Sequence, residues 1–316
     1  GGITALAQRR FYPDDVRGTV AYVAPMSFNA PDPRYLDQLA QVGMPTLSDC
    51  HAAVRNLASR MLSRRAQMLD LARSDAAQAG HAYTRVKLGP AVEAAITGLE
   101  WGFWQTAGDG HCDHVPQITD SDDALFQFLK DTSPVSDYDD EQIGYYAPYY
   151  YQSYWQLGIP DYTVPYLTDQ MWYGDVDYLG ELPTAEPAFD PDAMDDLQEW
   201  LESADTDEHD KVTRADLGKH LMFIYGRWDP WFAGRVAVGD AGDTVTFIKS
   251  HGNHYTKLFT LDAGDQAQAF AYIHRWTGVE PLLSRLQHPT TSGSARVGRR
   301  RQPPPLGAGH ARAAPR

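Results

Sequence analysis

The chain has 316 residues, 43% of them hydrophobic and 22% charged, enough apolar material to bury a sizeable core in one or two domains. Its formal net charge is −15, and because the seven arginines after Ser284 have no acidic counterpart, residues 1–284 hold 20 basic against 42 acidic side chains, a formal −22. That balance disfavours nucleic acid and anionic membranes as partners, and no apolar run approaches the ~18 residues of a membrane span.

Gly1 to about Arg10 reads as a helix ending before Pro13, and Thr19-Val-Ala-Tyr-Val-Ala24 as a buried strand leaving through Pro25. Helix followed by buried strand is half of a crossover unit, so a parallel strand is expected ahead of the helix. Ser48 to Ala79 reads as one helix, because Leu57, Met61, Leu62, Met68, Leu69 and Leu71 recur near the 3.6-residue period. Ser48 suits its N-cap and Gly80 its end. Pro90 to about Thr106 repeats the pattern with Val92, Ile96, Leu99 and Phe103. Asp122 to Lys130 and Asp192 to Glu202 read as shorter helices whose acidic first turns suit the helix dipole. Between them, Tyr145 to Tyr178 holds ten Tyr and two Trp, interrupted by Pro148, Pro160 and Pro165. Rings at that density suit stacking on proline, apolar peptide side chains or sugars, and equally suit filling a core.

His220-Leu-Met-Phe-Ile-Tyr225 and Thr244-Val-Thr-Phe-Ile-Lys249 are short runs without polar alternation, the mark of strands buried on both faces of a parallel sheet. The first breaks into Gly226-Arg-Trp-Asp229-Pro-Trp231 and the second into Ser250-His-Gly-Asn-His254. Ligands and catalytic groups gather in loops beyond the carboxyl ends of such strands. Asp followed by His is the acid-then-base order of an α/β-hydrolase triad. Asp229 is therefore read as the acid and His254 as the base, with Gly252 allowing a sharp turn and His251 as a neighbour. The nucleophile belongs upstream in a Gly-x-Ser-x-Gly elbow. Gly1 and Gly2 suit the trailing half of one, which places the Ser two positions before Gly1. Ser27 follows a strand but lacks the flanking glycines.

The fold expected is α/β, an α/β-hydrolase with a partial parallel sheet and a large inserted helical cap. Residues 1–44 are the first part of the hydrolase domain, 45–212 the cap and 213–284 the second part. Residues 285–316 form a basic tail, rich in Pro, Gly, Ala and Arg without apolar periodicity, expected to be disordered.

Gly1-Gly-Ile-Thr-Ala5, Arg9-Arg-Phe-Tyr-Pro-Asp-Asp15, Gly18-Thr-Val-Ala-Tyr-Val-Ala-Pro25 and Asp32-Pro-Arg-Tyr35 resemble secreted actinobacterial tripeptidyl aminopeptidases, serine peptidases with an α/β-hydrolase fold. Leu99-Glu100-Trp-Gly-Phe-Trp-Gln105, Tyr151-Gln152-Ser-Tyr-Trp-Gln-Leu-Gly158, Tyr225-Gly-Arg-Trp-Asp-Pro-Trp231 and Gly252-Asn-His254 are similar to later blocks of that family. The resemblance covers roughly residues 1–284 and lacks the segment up to and including the Ser. It implies release of N-terminal tripeptides by Ser-His-Asp acyl transfer, without metal or organic cofactor, in a secreted enzyme. The chain is read as the C-terminal part of such an enzyme, expected to be inert without its nucleophile.

An aminopeptidase that counts from the free N-terminus needs a carboxylate for the substrate ammonium. Glu100, in its aromatic setting, is assigned that role; an ordinary pairing with a cap Arg is the alternative. Tyr151, Gln152 and Trp231 are taken as further substrate-binding positions. Gln152 with Gln156 suits peptide carbonyls, though an exposed helix face explains the pair as well. The extracellular setting implied by the resemblance favours a Cys50–Cys112 disulfide over two free thiols. A metal site at His111-Cys-Asp-His114 is set aside for want of a second ligand pair. Two other functions stay open: a lipase or esterase of the same fold, and a non-catalytic aromatic-rich module binding carbohydrate or peptide.

Overall fold

The computed structural model describes residues 1–173, 190–203, 219–238 and 243–281. Helix α1 (Gly2–Phe11) leads into the short strand β1 (Thr19–Tyr22), and the two touch closely. A Cβ on Gly2 would come within 2.6 Å of the Tyr22 carbonyl oxygen, so only glycine lets the helix start beside the end of that strand. Helix α2 (Arg34–Gln41) follows, and its buried Tyr35 packs with Trp101 and Ala233.

The long helix expected from Ser48 to Ala79 is two helices, α3 (Ser48–Ser63) and α4 (Arg65–Ala79). Arg64 leaves helical geometry between them, and its guanidinium pairs with Asp122. The bend lets both halves pack against α5 (Leu88–Thr97), which is buried from Pro90 to Thr97. Periodicity reads apolar spacing on one helix and not the shape of the helix it packs on. Ser48 makes no capping bond and is itself the first helical residue. Gly80 does end α4 in the left-handed conformation, at φ 76°.

After α5 come one turn of α-helix, α6 (Leu99–Gly102), and a π-helical turn over Phe103–Ala107. Helix α7 (Asp122–Thr132) is capped by Ser121, whose hydroxyl accepts from the Ala124 amide at 3.2 Å. The first part of the tyrosine-rich block is helical, α8 (Asp140–Gln152), capped by Asp139 on the Gln142 amide at 2.7 Å. Helix α9 (Asp192–Ser203) occurs where its acidic first turn is expected. The block beyond Tyr173, the expected end of the cap and the basic tail lie outside the described residues.

Strands β2 (Leu221–Gly226) and β3 (Thr244–Lys249) complete a parallel sheet of order β1-β2-β3, with Leu221 opposite Thr19 and Thr244. Every residue of β2 is buried, as its unbroken apolar run demands. In β3 only Phe247 is buried, because the strand lies at the edge of the three. Helix α10 (Ala263–Thr277) covers one face through Trp276, over Met222 and Ile224. Leu6 of α1 and Leu197 of α9 cover the other, over Phe223 and Tyr225. The helices α3 to α7 enclose a separate core around Leu57, Met61, Phe103 and Trp104. Trp228, just past β2, joins the two by meeting Trp104 edge-on at 6.0 Å.

One buried charge ties this helical core together. Glu93 of α5 accepts from the Arg65 guanidinium at 2.6 Å and from the backbone amides of Trp172 and Tyr173 at 2.8 and 2.7 Å. Glu93→Ala would strand the guanidinium and two amides in an interior site. Chemical denaturation should show a loss of about 3 kcal/mol or more. A loss under about 1 kcal/mol, the scale of an exposed pair, would show that the cluster carries no such weight.

Candidate active site

The site forms where the chain leaves β2 and β3. Gly226, last in β2, has no room for a side chain: a Cβ there would fall 2.4 Å from the Asn253 carbonyl oxygen and the Gly252 carbonyl carbon. The two post-strand loops therefore lie backbone against backbone. The Trp228 amide donates to the Gly252 carbonyl at 2.9 Å and the Arg227 amide to the Lys249 carbonyl at 2.9 Å. From α2, the Gln38 side-chain amide donates to the Arg227 carbonyl at 2.9 Å.

This cross-tie delivers Asp229 to His254. Asp229 is 1% exposed, and its Oδ1 caps the turn Pro230–Gly234 by accepting from the Trp231 amide at 3.1 Å. Its Oδ2 accepts from His254 Nδ1 at 2.8 Å. This contact engages Nδ1, and no side chain among the described residues bonds Nε2. His251 is turned elsewhere, stacked on Trp228 at 4.4 Å and 9°. Lys257 lies half-buried with its ammonium 4.6 Å over the Tyr22 ring. Burial lowers its pKa, while the nearby Asp229 charge acts the other way. Gly2 against Tyr22 puts the start of α1 at this same carboxyl end of the sheet.

An aromatic group adjoins the acid. Trp231 meets Tyr35 edge-on at 5.9 Å and Trp101 at 5.3 Å, and Trp101 meets Tyr162 at 4.7 Å. Tyr35 shares a 2.9 Å hydrogen bond with Ser27, and burial drives its hydroxyl well above the ordinary phenol range. Ser27 is thus buried and engaged.

The other candidates stand apart. Glu100 is 1% exposed; its Oε1 accepts from Arg55 Nε at 2.8 Å and lies 3.0 Å from His51 Nε2, while Oε2 has no geometric hydrogen bond among the described residues. Burial first, and the Glu100 charge next, raise the pKa of the Tyr166 hydroxyl. Tyr151 and Gln152 are exposed at the end of α8, Tyr151 edge-on to Trp155 at 5.5 Å. Neither shares a hydrogen bond or ring contact with Asp229, His254 or Trp231. Cys50 and Cys112 form a disulfide, joining the first turn of α3 to the stretch after the π-helical turn. No group of three or more His, Cys, Asp or Glu side chains among the described residues is placed to hold a metal ion.

Sequence reading missed the π-helical turn and its contacts. The Gln105 carbonyl accepts from the His254 amide at 3.0 Å, and the Thr106 carbonyl from the Asn253 side chain at 2.8 Å. No local pattern marks a π turn, and Asn253 is visible only as one letter of Gly-Asn-His.

The parallel sheet thus sets a buried Asp against a His at its carboxyl edge, where ligands gather in such sheets. The chain belongs to the PS-10 peptidase S37 family, whose model matches residues 1–298. It is 32% identical over 288 residues to the prolyl tri/tetrapeptidyl aminopeptidase of Streptomyces mobaraensis, an alignment covering 89% of this chain and 57% of that relative. The chain therefore spans little more than half the length of the curated relative it matches. No solved structure matches it.

Proposed function

We propose that Asp229 and His254 are the acid and base of a serine-type acyl transfer that releases tripeptides from free N-termini. The observation that carries this is the 2.8 Å Asp229–His254 bond, with Nε2 bonded by no side chain among the described residues. Nε2 takes the proton of an attacking seryl hydroxyl, and Asp229 holds the tautomer and stabilises the imidazolium. The same nitrogen then protonates the leaving amine, and water repeats the sequence on the acyl-enzyme. Ser27 is bound to Tyr35, and no other described hydroxyl bonds Nε2. The nucleophile is therefore assigned outside the described residues.

Glu100 is proposed to hold the substrate ammonium through Oε2, with Arg55 fixing the carboxylate through Oε1. Trp231, Tyr151 and Gln152 are proposed to flank the peptide, and helices α3 to α8 to act as a cap. The disulfide supports a secreted enzyme.

The test compares tripeptide anilides with free and acetylated N-termini, in the enzyme form that includes the seryl nucleophile. The free amine should be preferred by on the order of 10²-fold or more, since leaving one partner of a buried charge pair unmatched costs 2–5 kcal/mol. Glu100→Gln should erase most of that preference. Equal cleavage of both substrates would end the aminopeptidase reading, and turnover of simple esters with no cleavage of either anilide would favour an esterase. An unchanged preference in Glu100→Gln would remove that residue from the site.

A further inference from the structure

The last carbonyls of a helix have no partner within it. Where the π-helical turn over Phe103–Ala107 ends, at Gly108 with φ 65°, two such carbonyls meet the loop that carries His254. Gln105 C=O accepts from the His254 amide itself at 3.0 Å. Thr106 C=O accepts from Asn253 Nδ2 at 2.8 Å, across 147 residues of chain. Single π turns recur at functional sites because they re-aim groups that an α turn would pair internally.

Asn253 works in two directions. While its amide nitrogen reaches the helical core, its Oδ1 accepts from the Tyr255 amide at 3.0 Å, so the side chain brackets His254 from both sides. Gly226 also packs on this loop, and its missing Cβ admits the Asn253 backbone. The turn also reaches the acid: Gln105 Oε1 accepts from Trp101 Nε1 at 2.8 Å, and Trp101 packs on Trp231, two residues past Asp229. Beyond the turn, Cys112 is bonded to Cys50 of α3.

We propose that Asn253 is a positioning residue, which holds the His254 imidazole against Asp229 by anchoring its loop to the Thr106 carbonyl of the π turn. The helical core then takes part in aligning the pair, beyond roofing the site. The consequence for catalysis rests on the acyl-transfer reading, because a misplacement of about 1 Å in such a site costs about 10²-fold in rate. The positioning itself is a property of the Asp229–His254 bond and can be read without turnover.

The readout is the low-field proton resonance of His254 Nδ1–H in the 316-residue chain, with its solvent-exchange rate, recorded beside the melting temperature. Asn253→Asp keeps an oxygen for the Tyr255 amide but loses the donor to Thr106. Exchange should accelerate about tenfold or more, equivalent to about 1.4 kcal/mol, with a melting shift of no more than about 4 °C. Asn253→Ser, which can hold the local turn but cannot reach Thr106, should do the same and serves if the Asp variant folds poorly. Unchanged exchange in either folded variant would overturn the proposal. So would acceleration that merely follows a large fall in melting temperature, since a general structural tie predicts that. A positive result here beside a failed peptidase assay would reject the acyl-transfer reading and leave the positioning intact.

Discussion

In the enzyme form that includes the seryl nucleophile, Asp229→Asn is expected, under the proposed acyl transfer, to lower kcat on tripeptide substrates by about 10⁴-fold with little change in KM. The cause is a tautomer. The carboxylate accepts the Nδ1 proton of His254 at 2.8 Å, which leaves Nε2 for the proposed role of base. An asparagine amide can present its NH₂ to Nδ1 instead, so the imidazole carries its proton on Nε2 and has nothing with which to accept one. KM should hold, because Asp229 is 1% exposed and its side-chain oxygens are committed to His254 and to the Trp231 amide. His254→Ala should cost more, about 10⁶-fold in kcat, and adding Asp229→Asn to it should cost little further, because the groups act as a unit. Steady-state kinetics on purified variants decides the matter. A loss below about tenfold in either single variant, far under the range for such groups, would mean that the pair is structural.

Removing the Cys50–Cys112 bridge should cost about 4 kcal/mol, by the entropy of closing a loop of 62 residues. That loop contains α3, α4, α5, α6 and the π turn, so the bridge restrains most of the helical core in the unfolded chain. Cys50→Ser with Cys112→Ser, unfolded in urea beside the parent, measures the cost. A loss under about 1 kcal/mol would show that the unfolded chain is already compact enough to make the bridge redundant. The change should also loosen the stretch after the π turn, and through it the loop of His254.

How much could be read in advance depended on how local each cause was. The runs Leu221–Gly226 and Thr244–Lys249 are parallel strands because unbroken apolar residues suit a covered sheet, and their breaks place Asp229 and His254 on adjacent loops. Gly80 ends α4 for a reason carried by one residue. The bend at Arg64 was not legible, because it depends on α5 and on Asp122, distant in the chain. Nor was helix α8, whose tyrosines show no clean period: Tyr150 is buried while Tyr145 and Tyr151 are exposed.

The amino-acid order by itself determined the strand segments, the order of Asp229 and His254 after them and the turn glycines, since these follow from side chains within a few positions of one another. Only the tertiary structure decided that Glu100 meets His51 and Arg55, that Ser27 is taken by Tyr35, and that a π turn grips the loop of His254. Each of these is a hydrogen bond or ion pair whose partner is chosen by packing. Packing joins residues as far apart as Thr106 and Asn253, beyond the reach of any periodicity along the chain.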